Sequence, residues 1–171
     1  MDLDLTKLDT MHPLLAPSTV ADYLLKVAIG LGRQGHEPGA LLIVSLDDEL
    51  TDAKLNWVQS DPGTANRLDW HRITEDAAEA ITLALVYEAN GWVVRRRMQR
   101  GEFADWLLID KNRGLVALEV SGVDKRDDKG RRLREKLEQL SRCELGRRAA
   151  CVVELSPPRS CLANAIEHNG D

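Results

Sequence analysis

Two acidic residues interrupt the most apolar part of the sequence. Asp105 directly precedes one hydrophobic run, residues 106–109, and Glu119 lies within a second, residues 114–122. The turn-forming segment 111–114 separates the runs, so the pattern predicts two strands joined as a hairpin. In such a hairpin Asp105 and Glu119 could approach each other at one edge of the sheet. Two facing carboxylates repel each other, and a divalent cation such as Mg²⁺, which prefers oxygen ligands, would relieve that repulsion.

The same two acids also allow a purely structural interpretation. Each could lie at a strand end in contact with solvent, or could pair with one of the many nearby arginines. Strand alternation places Glu119 and Ser121 on one face and Val120 on the other. The two acids alone therefore leave both interpretations open.

Length and composition narrow the classes of protein that the chain could represent. Its 171 residues suffice for one domain with a hydrophobic core, or one domain with a small appendage, and 43% hydrophobic with 30% charged residues is typical of a globular protein. No apolar run approaches the roughly 20 residues that span a bilayer, and the acidic start lacks the basic segment of a secretory signal. We therefore expect a cytoplasmic protein with no membrane partner. The three cysteines and four histidines have no disulfide or zinc-site spacing.

Charge is distributed unevenly along the chain. Its net value is −5, but residues 91–136 contain 13 Lys or Arg against 8 Asp or Glu, whereas the remainder contains 10 against 20. The basic segment is the one that contains Asp105 and Glu119. It suits a local phosphate-binding surface, although ordinary ion pairs on a charged helix would give the same count.

The N-terminal residues 1–72 are expected to form an α/β extension, with a soft boundary near residues 60–72. The extension has no motif that indicates chemistry, so its expected role is to select a substrate or to bind a protein partner. The consecutive acids Asp47, Asp48 and Glu49 favour an exposed loop over a metal site, because consecutive residues do not face a common point. The predicted elements are an irregular lead-in over residues 1–17, a helix over 18–31, a strand over 40–46 and one or two helical turns over 51–59.

Residues 73–171 are expected to form the core that carries the two acids. Thr74 caps a helix that Asn90 and Gly91 end, and Glu79 lies on the flank of its buried seam. A strand over residues 92–98, the hairpin, a helix over 127–143 and a strand over 149–155 follow. The order helix, strand, strand, strand, helix, strand predicts an α/β fold with helices around a mixed sheet.

This order, with acids at these positions, resembles the PD-(D/E)XK nuclease superfamily and its restriction-endonuclease-like core over about residues 74–155. The matching features are Glu79 on the helix, the run Gly91-Trp92-Val93-Val94, Asp105 entering the second strand and Glu119 on the third. The resemblance implies a metal-dependent nuclease that hydrolyses phosphodiester bonds of nucleic acid. It also implies that Asp105 and Glu119, with Glu79 in support and the backbone carbonyl of Val120 as a further ligand, hold Mg²⁺ or Mn²⁺.

One residue departs from the family pattern. The family has a lysine two residues after the glutamate, where this chain has Ser121. That lysine orients the attacking water and stabilises charge at the phosphate, which serine cannot do. On the predicted helix Lys136 and Gln139 share one polar face, which makes Lys136 the preferred substitute, although a solvated basic face is the alternative. The candidate substitutes are Lys125, Lys129 and Lys136.

The resemblance also implies contacts to the backbone of a nucleic acid, with DNA as the expected partner. Candidates for these phosphate contacts are Arg95, Arg96, Arg97, Arg100, Lys129, Arg131 and Arg132. A homodimer is expected only by analogy with small members of the superfamily. Three functions stay open: an active metal-dependent nuclease, an inactive nuclease-like subunit that binds nucleic acid or assembles a complex, and an unrelated small α/β protein.

Overall fold

The computed structural model describes residues 1–60, 69–123 and 129–164, and in these ranges the chain forms a mixed α/β fold. The strands are β1 (Asp2–Asp4), β2 (Ala40–Leu46), β3 (Glu49–Asn56), β4 (Val93–Arg97), β5 (Trp106–Ile109), β6 (Leu115–Val123), β7 (Arg147–Leu155) and β8 (Pro158–Asn164). The α-helices are α1 (Leu8–Met11), α2 (Pro17–Arg33), α3 (Trp70–Asn90) and α4 (Lys129–Leu140), and a 3-10 turn, Leu5–Lys7, precedes α1. None of the helices in the described ranges is both long and apolar enough to cross a membrane.

The described strands form one eight-stranded sheet in the order β1-β3-β2-β8-β7-β6-β5-β4. The pairs β1/β3, β2/β8 and β6/β7 are parallel, and the others are antiparallel, so the sheet is mixed. The order helix, strand, strand, strand, helix, strand predicted for residues 74–155 is present as α3-β4-β5-β6-α4-β7. Residues 127 and 128 of the predicted second helix lie outside the described ranges, as does Lys125.

The N-terminal part differs from the prediction in two places. Within residues 1–17, predicted to be an irregular lead-in, residues 2–11 form β1, the 3-10 turn and α1, and Leu3 and Leu5 are fully buried. Residues 51–56, predicted to be helical, belong to β3, where buried Ala53 and Leu55 alternate with exposed neighbours. Burial with a period of two is the signature of a strand packed on one face. Of the expected exposed loop at 47–49, Asp47 and Asp48 form the tight turn between β2 and β3, and Glu49 begins β3.

A strand that the sequence pattern does not predict completes the middle of the sheet. Pro157 and Pro158 indicate a break in the chain, yet the backbone turns there and β8 returns antiparallel to β7. On its other side β8 pairs with β2, so it joins the N-terminal strands to the strands of the predicted core. The predicted segments 1–72 and 73–171 consequently share one sheet in the described ranges.

The helices cover both faces of the sheet. On one face α2 and α3 pack over a large cluster to which Leu42 and Val27 of the N-terminal part and Ile81 and Leu118 of the C-terminal part all contribute. On the other face Leu140 of α4 closes a smaller cluster over β5, β6 and β7. Strand β6 is therefore buried on both faces, with α3 on one side and α4 on the other.

The pairing of β6 with β5 stops before β6 ends. The last paired residues are Trp106 and Leu118, so among the described strands none lies beside the edge of β6 beyond Leu118 on that side. We call residues 119–123 on this side the open edge of β6. At the same place α3 approaches closely, because a Cβ atom on Gly122 would lie 2.4 Å from the backbone oxygen of Thr74.

Replacing Gly122 by alanine is expected to destabilise the protein by about 1–3 kcal/mol, because the added methyl group must push α3 away from the sheet. Gly32 provides the control, since it lies in α2 and a Cβ there would meet no atom within 4 Å. Gly32→Ala should stabilise the helix, by up to about 1 kcal/mol. Urea unfolding of both variants measures the two effects. Equal stability of Gly122→Ala and the wild type would show that α3 does not approach the sheet this closely.

Candidate active site

Asp105 lies where β5 separates from β6, and hydrogen bonds fix both its backbone and its side chain. Its backbone N–H donates to the carbonyl of Leu118 at 3.0 Å, and its own carbonyl accepts the N–H of Met98 at 2.8 Å. Its Oδ2 accepts the N–H of Val120 at 2.8 Å. The carboxylate therefore covers the first backbone donor of the open edge, and its position follows from the hairpin pairing that the sequence predicts.

Glu119 is the most buried acid of the open edge, with only 3% of its surface exposed. Its Oε1 accepts hydrogen bonds from Lys136 Nζ at 2.6 Å and from Gln139 Nε2 at 2.8 Å. Its Oε2 is buried and has no hydrogen-bond partner in the described part of the chain. A buried carboxylate oxygen without a donor is costly, and such an atom in a folded protein calls for a specific explanation, of which a bound ion is one.

The two acids also affect each other's ionisation. Burial raises the pKa of the Glu119 carboxyl above its usual range, the charge of Asp105 raises it further, and the hydrogen bond and charge of Lys136 oppose this. Burial likewise raises the pKa of Asp105, against the opposing hydrogen bond from Val120 and the charge of Lys136. Lys136 therefore compensates the negative charge of the two acids only in part. The remaining negative charge would attract a cation.

Backbone groups of β6 add further polar atoms to the same edge. The N–H of Gly122 donates to Glu75 Oε2 at 2.9 Å, and the N–H of Val120 donates to Asp105. Because the N–H and C=O of a strand residue point to the same side, the carbonyl of Val120 belongs to this edge as well. Two carboxylates from outside the strand thus lie on either side of one backbone carbonyl.

Glu75 is a member of this group that sequence reasoning missed. Its charge contributes to raising the pKa of Asp105, after the larger effect of burial. In the sequence Glu75 indicates only a favourable charge in the first turns of a helix. The available signal was its spacing of four residues from Glu79, which places both acids on one face of α3.

Glu79 contacts a different set of partners. It is buried, and Arg97 donates to its two oxygens at 2.8 and 2.9 Å. Trp106 Nε1 donates to Oε2 at 3.1 Å, and the hydroxyl of Tyr23 makes a short hydrogen bond to the same oxygen. Both oxygens of Glu79 are therefore occupied. Burial raises the pKa of Glu79, while Tyr23 and Arg97 oppose the rise.

The basic residues expected to contact phosphate divide into three groups. Arg97 is engaged by Glu79, and Arg96 is engaged by Glu102, so neither guanidinium is available without giving up an ion pair. Arg95 and Arg100 are exposed, the first on the edge strand β4 and the second in the loop that follows it. On α4, Arg131 pairs with Glu135, and Arg132 is half-buried. The side chain of Lys129 lies outside the described part of the structure.

The open edge provides oxygen donors from which a divalent cation could be bound. Within the described ranges no group of three or more His, Cys, Asp or Glu side chains is arranged to hold a metal ion. The open edge instead offers two carboxylates and the carbonyl of Val120. This set suits Mg²⁺, which commonly binds through one or two carboxylates and keeps several waters. The unpartnered oxygen of Glu119 and the raised pKa values of both acids fit such an ion.

No protein-family model matches the chain, and no curated protein or solved structure matches it at the significance required. The resemblance to the PD-(D/E)XK nucleases therefore stays a prediction from the sequence. What the site can do is inferred from its own geometry.

Replacing Asp105 by asparagine is expected to stabilise the metal-free protein by about 0.5–2 kcal/mol at neutral pH, because it removes a buried charge and keeps an acceptor for Val120. The raised pKa means that the native protein retains a proton that the unfolded chain has lost. Wild-type stability then falls as pH rises from the ordinary carboxyl pKa of about 3.9 through the raised value. The gain in unfolding free energy from Asp105→Asn should accordingly be small at acid pH, increase as the pH rises, and then reach a plateau. Urea unfolding in EDTA across this pH range measures it.

The matched control for this prediction is Asp52→Asn, which changes an exposed carboxyl on β3 far along the sheet. It should show no comparable gain that grows with pH. A destabilised Asp105→Asn at every pH would mean that the carboxylate of Asp105 stabilises the fold without a metal.

Loss of the Arg97 guanidinium is expected to cost about 2 kcal/mol, because it leaves Glu79 buried without its ion pair. This expected loss of stability is smaller than that for a fully buried ion pair, because 53% of the Arg97 side chain is exposed and solvent screens its charge. Arg97→Met tests this in urea unfolding. The neighbouring Arg96→Met is the control, since its partner Glu102 is on the surface, and it should change stability little. Equal losses in the two variants would contradict a structural role for Glu79.

Proposed function

We propose that the protein is a metal-dependent nuclease of the PD-(D/E)XK type, with a restriction-endonuclease-like core formed by α3, β4, β5, β6, α4 and β7. One observation carries the proposal: Lys136 Nζ lies 2.6 Å from Glu119 Oε1, while Glu119 Oε2 is buried and has no partner among the described residues. An acid, a lysine and an unused carboxylate oxygen therefore meet at the open edge of β6, next to Asp105. A carboxylate that can hold a cation, with an ammonium group beside it, is a combination that suits metal-assisted phosphodiester hydrolysis.

In this proposal Lys136 replaces the lysine that the family has at the position of Ser121. Glu119 and Ser121 share the face of β6 that α4 covers, so a side chain from α4 can reach the space that the motif lysine would occupy. An ammonium group has three N–H donors, and the described contacts of Lys136 use one of them for Glu119. With 22% of its side chain exposed, Lys136 can offer the others to a water or a phosphate oxygen.

Asp105, Glu119 and the carbonyl of Val120 would hold the cation, and Glu75, which accepts the N–H of Gly122 at the same edge, would join them through a water. Bound Mg²⁺ or Mn²⁺ would lower the pKa of a coordinated water and offset charge on the phosphate. Gln139 fixes the carboxylate of Glu119 together with Lys136. Glu79 acts on this site indirectly, because Trp106, which binds it, directly follows Asp105 in the chain.

The substrate of this reaction is a nucleic acid, with DNA as the expected one. The exposed side chains of Arg95 and Arg100 stand on the edge strand β4 and in the loop that leads to Asp105. Such arginines contact phosphates and position a strand without reading its sequence. The negative net charge of −5 argues against a surface that coats nucleic acid along its whole length.

The ion pair of Lys136 also favours a second candidate, an inactive nuclease-like subunit that binds nucleic acid or assembles a complex. Lys136 neutralises Glu119 without any metal, and Ser121 cannot supply a charge. The two functions differ in one measurable property. The nuclease must bind a divalent cation at the open edge, whereas the subunit needs none.

Cleavage of labelled single- and double-stranded DNA and RNA by the purified protein, with Mg²⁺ or Mn²⁺, tests the nuclease. Asp105→Asn and Glu119→Gln are expected to reduce cleavage by a factor of about 10³ or more, because each removes a metal ligand. Lys136→Ala should lose about 10²–10³-fold, the usual effect of removing one positioned proton donor or charge.

The control on the same helix is Arg134→Ala, whose side chain is exposed on α4, and its activity should be near that of the wild type. Calorimetric titration with Mn²⁺ is the parallel measurement. Absence of both cleavage and metal binding in the wild type would favour the inactive subunit. Cleavage that survives Asp105→Asn and Glu119→Gln would mean that the reaction occurs elsewhere on the protein.

A further inference from the structure

The loop between β4 and β5, residues 98–105, is held in one conformation by its own hydrogen bonds. Arg96 donates to both oxygens of Glu102, each at 2.7 Å, and Glu102 also accepts the backbone N–H of Gln99. At the base of the loop, Met98 N–H donates to the carbonyl of Asp105 at 2.8 Å. The loop thus enters the candidate active site as a fixed structure.

Phe103 occupies an unusual conformation in this loop. Its φ angle is 60°, in the left-handed region that bulky residues rarely adopt, and its surface is 40% exposed. Strained backbone of this kind persists where the surrounding structure imposes it, and it is concentrated at functional sites. Phe103 belongs to neither hydrophobic cluster of the described residues. The fixed loop holds an aromatic surface toward solvent two residues before Asp105.

The side chain of Arg142 lies near the Phe103 ring and close in sequence to the residues that bind Glu119. The guanidinium of Arg142 lies 6.0 Å from the centre of the Phe103 ring. Arg142 belongs to the turn that continues from α4, since its N–H donates to the carbonyl of Gln139 at 3.3 Å. Lys136, Gln139 and Arg142 recur every three residues, and the first two bind Glu119. Only three residues of chain therefore separate Gln139, which binds Glu119, from Arg142, which lies beside Phe103.

We propose that Phe103 and Arg142 form a nucleobase-stacking subsite next to the candidate active site, and that the substrate is a single-stranded segment of nucleic acid. This inference rests on the proposed nuclease function. Exposed aromatic rings bind single strands because every base has a face that can stack on them, and an adjacent arginine adds a cation for the base or its phosphate. In a duplex the bases are already stacked and paired, so a ring at the surface cannot reach their faces.

Fluorescence anisotropy in EDTA, where no cleavage occurs, tests the subsite with a labelled single-stranded DNA, the blunt duplex of the same sequence, and a strand of abasic units. Phe103→Ala is expected to weaken binding of the single strand by about 5- to 100-fold, the range for loss of one stacking contact. Binding of the duplex and of the abasic strand should change by less than about twofold, because both lack an accessible base.

Two further variants make the test specific. Phe103→Trp should keep the affinity for the single strand, and its added indole fluorescence should be quenched when a base stacks on it. Val58→Ala, which trims another exposed apolar side chain, 65% exposed, is the matched control and should bind like the wild type. Thermal unfolding of each variant verifies that the fold is intact.

Equal weakening of all three ligands by Phe103→Ala would overturn the stacking subsite and indicate a general phosphate surface, and unchanged binding would overturn it as well. The outcome is separable from that of the nuclease. Base-dependent binding through Phe103 without any metal-dependent cleavage would support the stacking subsite and contradict the nuclease function. If cleavage needs Asp105 but Phe103→Ala leaves single-strand binding unchanged, the nuclease function is supported and the stacking subsite is contradicted.

Discussion

The carboxylate of Glu119 is buried in the sheet, and the protein satisfies only one of its two oxygens. Lys136 and Gln139 of α4 both donate to Oε1, while Oε2 has no donor in the described part of the chain. Much of the surrounding architecture follows from placing this group there. Strand β6 must be covered by α4 on one face, and β5 must stop pairing at Trp106, so that the edge beside the acid stays open.

The two central glutamates, Glu79 and Glu119, differ in how their carboxylate oxygens are hydrogen-bonded. Glu79 receives donors on both oxygens from Arg97, Tyr23 and Trp106, and in that state it links α2, α3, β4 and β5. Glu119 accepts hydrogen bonds on Oε1, whereas its Oε2 has no donor among the described residues. A fully satisfied buried acid is a structural element, whereas a half-satisfied one stores free energy that a ligand can release. In the proposed function, this difference separates Glu79, which supports the site, from Glu119, which would bind the cation.

The sequence predicts the part of the site that depends on local patterns. The hairpin brings Asp105 and Glu119 together because two apolar runs are joined by a short turn, and helical spacing puts Lys136 and Gln139 on one face. It does not predict Glu75 at the site, since the N–H of Gly122 that Glu75 binds is available only because β5 begins at Trp106, opposite Leu118, and does not extend beside residues 119–123. Nor does it predict β3 and β8, each of which pairs on one side with a strand distant in the chain, β3 with β1 and β8 with β2. The pairing of Glu79 with Arg97 likewise joins elements that no local pattern relates.

Anomalous scattering from crystals soaked in Mn²⁺ would test the central claim most directly. The claim predicts one strong peak at the open edge of β6, at a bonding distance of about 2.1 Å from carboxylate oxygens of Asp105 and Glu119 and from the carbonyl oxygen of Val120. Glu119 would bind through Oε2 while Lys136 keeps Oε1. A protein donor on Oε2 with no peak at this edge, or a peak only at other acids, would contradict the claim.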